Sequence, residues 1–319
     1  MKSTRPFFTP LSTSHPIRTP SPRQDGLYPL TRRLFQLPPA PAPPSPSHTD
    51  LPSFLAYAKR TNLPESTTTY QGTLYEYTVR SHLRNAGFAL HRVGGRSDLG
   101  VDLTGTWHVG SDPVLDPPIR VVVQCKALKA KIGPNVVREV EGVAARYSRV
   151  HSRAVSSKGG YAGVLVGPRE ATRGVREALG RSGMPLVWMM VGWDGVLRQA
   201  LWNARVEGLG LGLGGLGVEV VYPGDLSDPE SGSDAGQAGT ERKEVRLTWE
   251  GREVQTMDEV EDGMRRAEEQ WIAKWEGRGL GDISPEVVLD AVERVLPGTR
   301  PLMISEEERD IVVKHLRST

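Results

Sequence analysis

Four polar side chains have types and positions suited to chemistry: Glu76, Asp102, Gln124 and Lys126. Asp102 lies near the start of one apolar segment, residues 101–107, and Gln124 and Lys126 lie at the end of the next, residues 119–126. If the two segments form an antiparallel hairpin, the start of the first strand lies beside the end of the second. The spacing therefore predicts one cluster at a corner of a sheet.

Alternation along the strands predicts which way these side chains point. Val101 and Leu103 should face one side of the sheet, and Asp102 should face the other. The partner strand places Gln124 and Lys126 on a shared face by the same rule. Three polar groups then converge on one face, away from the apolar side.

Groups of this kind suit metal-dependent phosphodiester hydrolysis. Asp102 would bind Mg²⁺, which polarises a phosphate and lowers the pKa of bound water. Lys126 would hold the attacking water and offset the charge that develops on the phosphate. Glu76 would add a carboxylate through a metal-bound water, and the backbone carbonyl of Cys125 is a further oxygen ligand. Singly, each side chain also has an ordinary structural interpretation; their joint placement favours the catalytic one.

Periodicity predicts the elements that position the cluster. The order is αβββαβαβ, which makes a mixed sheet with helices on its faces. Helices are predicted over residues 74–87, after Gly133–Pro134, and over residues 172–182, and strands over residues 88–93, 101–107, 119–126, 161–166 and 186–191.

Composition divides the chain into four parts. Residues 1–50 are rich in Pro, Ser, Thr and Arg and are predicted to be disordered. Residues 51–222 form the α/β core, and residues 223–244 form a polar, flexible linker. Residues 245–319 form an acidic, mostly helical extension, whose final helix is predicted to begin at a capping box.

The N-terminal segment is compatible with two interpretations. Residues 1–49 hold six Lys or Arg and one acid, as a mitochondrial targeting segment does. Their many prolines disfavour the amphipathic helix of such a segment, so an ordinary disordered tail is the alternative.

The formal charge of +2 hides an asymmetry between the core and the C-terminal part. Residues 50–222 carry +7 and residues 223–319 carry −10. A basic core suits a polyanion such as nucleic acid. The acidic part would either compete for that surface or be acidic only for solubility. Basic side chains near the cluster are the expected phosphate contacts: Arg92, Arg96, Lys129, Lys131 and Arg138.

The overall composition excludes several classes of protein. No apolar run is long enough to span a membrane. The single cysteine, Cys125, excludes an internal disulfide and a cysteine zinc site, which fits a reducing compartment. The seven histidines show no metal-ligand spacing.

Short sequence motifs resemble a known superfamily. GVDLTGTW, followed by VVVQCK, resembles the D…QxK variant of the PD-(D/E)XK superfamily, as in Mrr-type restriction endonucleases. GPNVVREVEG is similar to the helix that follows this motif, and the resemblance runs from about residue 70 to about residue 197. More narrowly, YQGTLYEYTVRSHL and GGRSDLGVDLTGTW resemble a mitochondrial fungal family, Required for respiratory growth protein 7.

The resemblance implies a restriction-endonuclease-like α/β fold with Asp102, Gln124 and Lys126 in the nuclease motif and Glu76 as the acid of the first helix. It also implies a mitochondrial location and favours DNA over RNA as the nucleic-acid partner. Gln124 replaces the acid usual in the superfamily, and a neutral amide is a weaker metal ligand. The alternative function is a non-catalytic nucleic-acid-binding or assembly factor that supports respiration on a retained nuclease fold.

Overall fold

The core of the protein is a mixed sheet of six strands. The computed structural model describes residues 27–93, 100–128, 130–151, 160–209, 213–222 and 243–318. The strands lie in the sheet in chain order. They are β1 (Phe88–Arg92), β2 (Leu103–Trp107), β3 (Ile119–Cys125), β4 (Tyr161–Gly167), β5 (Leu186–Val191) and β6 (Leu197–Trp202).

Helices precede, connect and follow these strands. They are α1 (Pro29–Leu34), α2 (Leu51–Arg60), α3 (Thr68–His82), α4 (Pro134–His151), α5 (Arg173–Arg181), α6 (Ala204–Glu207), α7 (Met257–Trp275), α8 (Pro285–Val295) and α9 (Glu306–Ser318). A short 3₁₀ turn, Leu83–Ala86, extends α3 to Gly87, whose left-handed φ of 78° ends the helical segment.

Strand direction follows from the connections. β1, β2 and β3 pair antiparallel, β3, β4 and β5 pair parallel, and β6 returns antiparallel to β5. The parallel pairs need crossovers, which α4 and α5 provide. Helices that follow parallel strands begin at the carboxyl edge of those strands, which is where β3 and β4 end.

The two faces of the sheet carry separate apolar clusters. Tyr75 and Val79 of α3 pack against Leu103 and Val123 on one face. On the other face, α4 and α5 pack over Val122 and its neighbours on β4 and β5. We call these the α3 face and the α4 face.

A second, three-stranded sheet lies beside the first. β7 (Leu216–Val221) pairs antiparallel with β8 (Glu244–Trp249), which also pairs with β9 (Arg252–Glu253). Val245 and Leu247 of β8 are buried in the same cluster as the α3 face. β8 therefore packs back onto the core.

The segment before residue 50 differs from the prediction of disorder. Residues 1–26 lie outside the described part of the chain, but residues 27–50 include α1. Leu30, Leu34 and Phe35 are buried together with side chains of α7, α8 and α9. The sequence did not indicate α1, because the segment is Pro-rich and its six residues are too few for a periodic apolar pattern.

The C-terminal helices and α1 form what we call the helical cluster. Its buried side chains include Met264, Trp271, Leu289 and Val312. Ala89 of β1 and Val114 pack against it, and Arg84 pairs with Asp258 at 2.7 Å. The acidic extension is thus packed on the core, which favours the structural interpretation of its charge.

The predicted element order matches the described structure from α3 to β5. The helices α1 and α2 before it, and β6 and α6 after it, were not predicted. Most of the predicted linker lies outside the described residues. In the described part, no helix is long and apolar enough to cross a membrane.

Candidate active site at the carboxyl edge of the sheet

Asp102 lies at the end of the sheet, immediately before β2. Its backbone N–H donates to the carbonyl of Val123 at 3.0 Å, although Leu103 is the ladder partner of Val123. Two residues of one strand therefore face one residue of the other, as in a β-bulge. A bulge shifts the alternation by one residue, so Val101 packs on the α4 face and Leu103 on the α3 face. The prediction that these two residues share a face was wrong.

The carboxylate of Asp102 is held by the last peptide of β3. Its Oδ2 accepts a hydrogen bond from the N–H of Cys125 at 2.7 Å. Hydrogen bonds to an ionised carboxylate are stronger than neutral ones, so this contact fixes the position of the acid. Asp102 is thereby joined to the QxK segment as the sequence predicts, through the backbone rather than through a shared face.

Glu76 is committed to a neighbouring arginine. Arg92 Nε donates to Glu76 Oε2 at 2.5 Å, and both side chains are only 13% exposed. The guanidinium of Arg92 also lies 5.5 Å from the ring centroid of Tyr77. Arg92 is therefore an internal partner of Glu76, which does not match its predicted role as a surface contact for phosphate.

The Cys125 thiol lies within electrostatic reach of the Asp102 and Glu76 carboxylates and of Arg92. Burial raises the pKa of the Cys125 thiol well above its usual value, the carboxylates of Asp102 and Glu76 raise it further, and Arg92 opposes them. The thiol therefore remains protonated at neutral pH. Both carboxylates act on it, which places Glu76 and Asp102 near the same end of β3.

Gln124 is buried without full hydrogen bonding. The residue is 8% exposed, and its Oε1 has no hydrogen-bond partner among the described residues. The amide lies over Gly100, where a Cβ would come within 3.0 Å of Nε2. Gln124 alternates with Val123 and therefore lies on the α4 face. An unpartnered buried acceptor costs about 1–3 kcal/mol, so packing alone does not explain its presence.

Lys126 follows directly at the carboxyl edge. Its N–H donates to the carbonyl of Val166 at 2.8 Å, which aligns the residue with the end of β4. Its Nζ lies 3.7 Å from Glu139 Oε2 of α4. The side chain of Glu139 is 53% exposed, and such pairs are weak. The amine is thus available at the surface.

Of the other predicted phosphate contacts, two are described by the structure and two are not. Lys131 and Arg138 are exposed near the start of α4. Arg96 and Lys129 lie outside the described residues. The sequence did not predict Arg92 as the partner of Glu76 or Glu139 as the partner of Lys126. Only the position of Glu139 on the helix after Gly133–Pro134 could have indicated an acid near Lys126.

The donors available for a cation are oxygens. Among the described residues, no group of three or more His, Cys, Asp or Glu side chains could hold a metal ion. The Asp102 carboxylate, the unpartnered Gln124 Oε1 and the Cys125 carbonyl are instead the hard oxygen ligands that Mg²⁺ takes. The residues present fit Mg²⁺ better than zinc, which favours nitrogen and sulfur.

Comparison with protein-family models finds one family that part of this chain resembles. Residues 67–116 and 109–213 match the model of the family described as Required for respiratory growth protein 7. The matched region runs from α3 to α6 and contains all four candidate site residues. This region of the chain is similar to that family.

Individual relatives are fungal. The region is 43% identical to an uncharacterised mitochondrial protein of Schizosaccharomyces pombe, over 32% of this chain and 41% of that protein. It is 26% identical to Required for respiratory growth protein 7, mitochondrial, of Saccharomyces cerevisiae, over 44% of this chain and 72% of that protein. The namesake protein of Eremothecium gossypii is 25% identical, over 44% of this chain and 74% of its own length. The match thus spans less than half of the Schizosaccharomyces protein.

No solved structure matches this chain. The restriction-endonuclease-like assignment of the sheet therefore stays a prediction.

Proposed function

We propose that this chain is a mitochondrial protein that supports respiratory growth and hydrolyses DNA phosphodiester bonds with Mg²⁺. One observation carries the proposal: the buried Oε1 of Gln124 has no partner among the described residues, and the next peptide holds Asp102. Such an acceptor is retained at a cost in stability, and a ligand at the same corner explains why.

The ligand set follows from the donors. Asp102, Gln124 and the backbone carbonyl of Cys125 would hold Mg²⁺, with Glu76 acting through a water. The bound ion supplies Lewis acidity toward a phosphate.

The chain's own residues supply orientation and charge. The Cys125 N–H holds the Asp102 carboxylate in one position. Lys126 exchanges its weak pair with Glu139 for the phosphate and the attacking water, because a contact at 3.7 Å to a half-exposed glutamate is easily replaced. The Cys125 thiol stays protonated because its pKa is raised, so it adds no negative charge that would repel the phosphate.

The second candidate is a non-catalytic nucleic-acid-binding or assembly factor, and one observation favours it. Arg92 already neutralises Glu76, and Gln124 carries no charge. Asp102 then remains as the main negative ligand, which weakens any metal site.

The mitochondrial location rests on the names of the relatives and on the basic N-terminal segment. Several fungal relatives are named mitochondrial. Because α1 packs into the helical cluster, we assign targeting to residues 1–26 and folding to residues 27–50. A reporter carrying residues 1–26 alone should reach mitochondria; a cytosolic reporter would contradict this division.

The function is tested with the purified full chain. Cleavage of duplex DNA, single-stranded DNA and RNA is measured with Mg²⁺, with Mn²⁺ and with EDTA. We expect metal-dependent cleavage of DNA that EDTA abolishes. Binding to DNA without cleavage under every metal condition would contradict the nuclease and favour the second candidate.

A further inference from the structure

The N-terminal ends of α4 and α5 lie side by side at the candidate site. Thr172 Oγ1 donates to the carbonyl of Ile132 at 3.2 Å. A Cβ on Gly174 would lie 3.4 Å from Pro134, the first residue of α4. At the other end of α5, Glu141 accepts from Ser182 Oγ at 2.7 Å and from the Gly183 N–H at 3.0 Å. The two helices therefore run in the same direction and begin together at the carboxyl edge.

Cations crowd this edge. Lys131, Arg138 and Arg169 are exposed and form no ion pair with a described residue. Arg173 is 93% exposed, and its guanidinium pairs with Glu177 at 2.8 Å. Arg176 is exposed and donates through Nε to the carbonyl of Ala171 at 3.2 Å. We call these five side chains the basic edge: Lys131, Arg138, Arg169, Arg173 and Arg176.

The charge of the basic edge opposes helix stability. The first turn of a helix has a partial positive charge that favours acids. Neither α4 nor α5 has an acid in its first turn, and Arg173 and Arg176 lie in the first turn of α5. The helical cluster follows the opposite rule, with Asp258 and Glu259 at the start of α7. An anion at the basic edge would relieve this unfavourable arrangement.

The acidic helices do not neutralise the basic edge in the described part of the chain. Their ion pairs to the rest of the protein go to Arg33 and Arg84. The unpartnered Oε1 of Gln124 lies on the α4 face, at the same edge. A buried polar group without a partner and an exposed cationic surface thus lie at the same edge of the sheet, and both point to one extended ligand.

We propose that the basic edge binds the phosphate backbone of the nucleic acid flanking the scissile phosphate, so that α5 extends the contact beyond the residues that the sequence indicates. This inference rests on the proposed function for the identity of the ligand. A polyphosphate backbone fits because free helix amides and guanidinium groups both bind phosphate oxygens. Contacts of this kind carry no sequence preference.

Binding without metal separates this inference from catalysis. Fluorescence anisotropy with a labelled DNA duplex is recorded in EDTA across a salt series. The test variant of the full chain is R169Q/R173Q/R176Q, and the matched control is R205Q/R252Q/R266Q, which removes three exposed arginines elsewhere. We expect the test variant to bind roughly tenfold more weakly at low salt. The slope of its log affinity against log salt should fall in magnitude by about 2.7, since each of the three lost phosphate contacts contributes about 0.9.

The outcomes distinguish the two proposals. Thermal unfolding of both variants in the absence of DNA should be no lower than that of the parent chain, because all six side chains are exposed and the test variant removes unfavourable positive charge from the first turn of α5. Equal affinity of the two variants, or no binding by the parent chain, would overturn the basic edge even if cleavage is found. Selective loss of affinity in the test variant supports it, even if the parent chain cleaves nothing and the proposed nuclease function fails.

Discussion

The carboxyl edge of the sheet and the helical cluster are built by opposite rules. In the cluster, Thr256 and Glu259 form a capping box, acids occupy the first turns, and a continuous set of apolar side chains fills the interior. At the edge, a glutamine oxygen is buried without a partner, arginines occupy a first turn, and Glu76 is buried against Arg92. The helical cluster also has buried donor atoms without a partner, Trp275 Nε1 and Arg309 Nε, so the contrast rests on the charges of the first turns and on the unpartnered acceptor oxygen of Gln124.

The largest effect tests whether the N-terminal segment belongs to the helical cluster. Leu34 is 2% exposed, whereas Leu55 is 43% exposed. We expect Leu34→Ala to lower the free energy of unfolding by about 2–5 kcal/mol, because it removes buried methyl groups and leaves a cavity. Leu55→Ala is the matched control, with an expected loss below about 1 kcal/mol. If chemical denaturation shows equal losses of unfolding free energy for the two variants, α1 is not part of the helical cluster.

An intermediate effect on stability is expected from His108, which lies where the N-terminal segment packs on β1 and β2. His108 is buried there, shares a hydrogen bond with Thr106 at 3.0 Å, and lines a cavity together with Arg32 and His91. Burial lowers the pKa of His108 to about 4. The unfolded chain, with a histidine pKa of about 6.5, then binds a proton that the native chain does not bind.

Stability should therefore be fully present above about pH 6.5 and fall as the pH decreases toward 4. Between pH 7 and pH 5 we expect a loss of about 2 kcal/mol from this group. His108→Gln keeps a hydrogen-bonding side chain but cannot titrate, so its loss over the same range should be smaller by that amount. Parallel pH profiles of the two proteins would contradict the assignment.

The smallest expected change in stability tests most directly whether Gln124 is kept for folding or for a ligand. Gln124→Leu removes an unpartnered amide, so we expect unfolding stability to stay equal or to rise by about 1 kcal/mol. Gln199→Leu is the control, because its Oε1 accepts the Ala171 N–H at 2.9 Å, and it should lose about 1 kcal/mol. If Gln124→Leu destabilises as much as Gln199→Leu, the amide of Gln124 is structural.

The sequence indicated the sheet well, because Val-rich strands and amphipathic helices carry strong periodic signals. β3 and β4 are buried nearly throughout, and their bounds lie within one residue of the prediction. The site was predicted less completely. Alternation failed at Asp102 because a local hydrogen bond to Val123 makes a bulge, which periodicity cannot show.

Charge partners were harder to predict than elements. The pair of Arg92 with Glu76 joins β1 to α3, and nothing in the local sequence of either residue indicates it. Likewise, Leu30 and Leu34 lie among prolines and arginines, and only the contact with α7 and α8 reveals them as core residues. Long-range packing decides both cases.

The central claim is that the polar residues at the carboxyl edge form a catalytic site. The most direct measurement is metal-dependent DNA cleavage by Asp102→Asn and Lys126→Ala, each compared with an exposed control, Asp282→Asn and Lys59→Ala. Asp102→Asn keeps an acceptor for the Cys125 N–H, so the fold should be retained. We predict loss of cleavage by roughly a hundredfold or more in both site variants, and parent-like cleavage in both controls. Parent-like cleavage by a folded Asp102→Asn or Lys126→Ala protein would contradict the account.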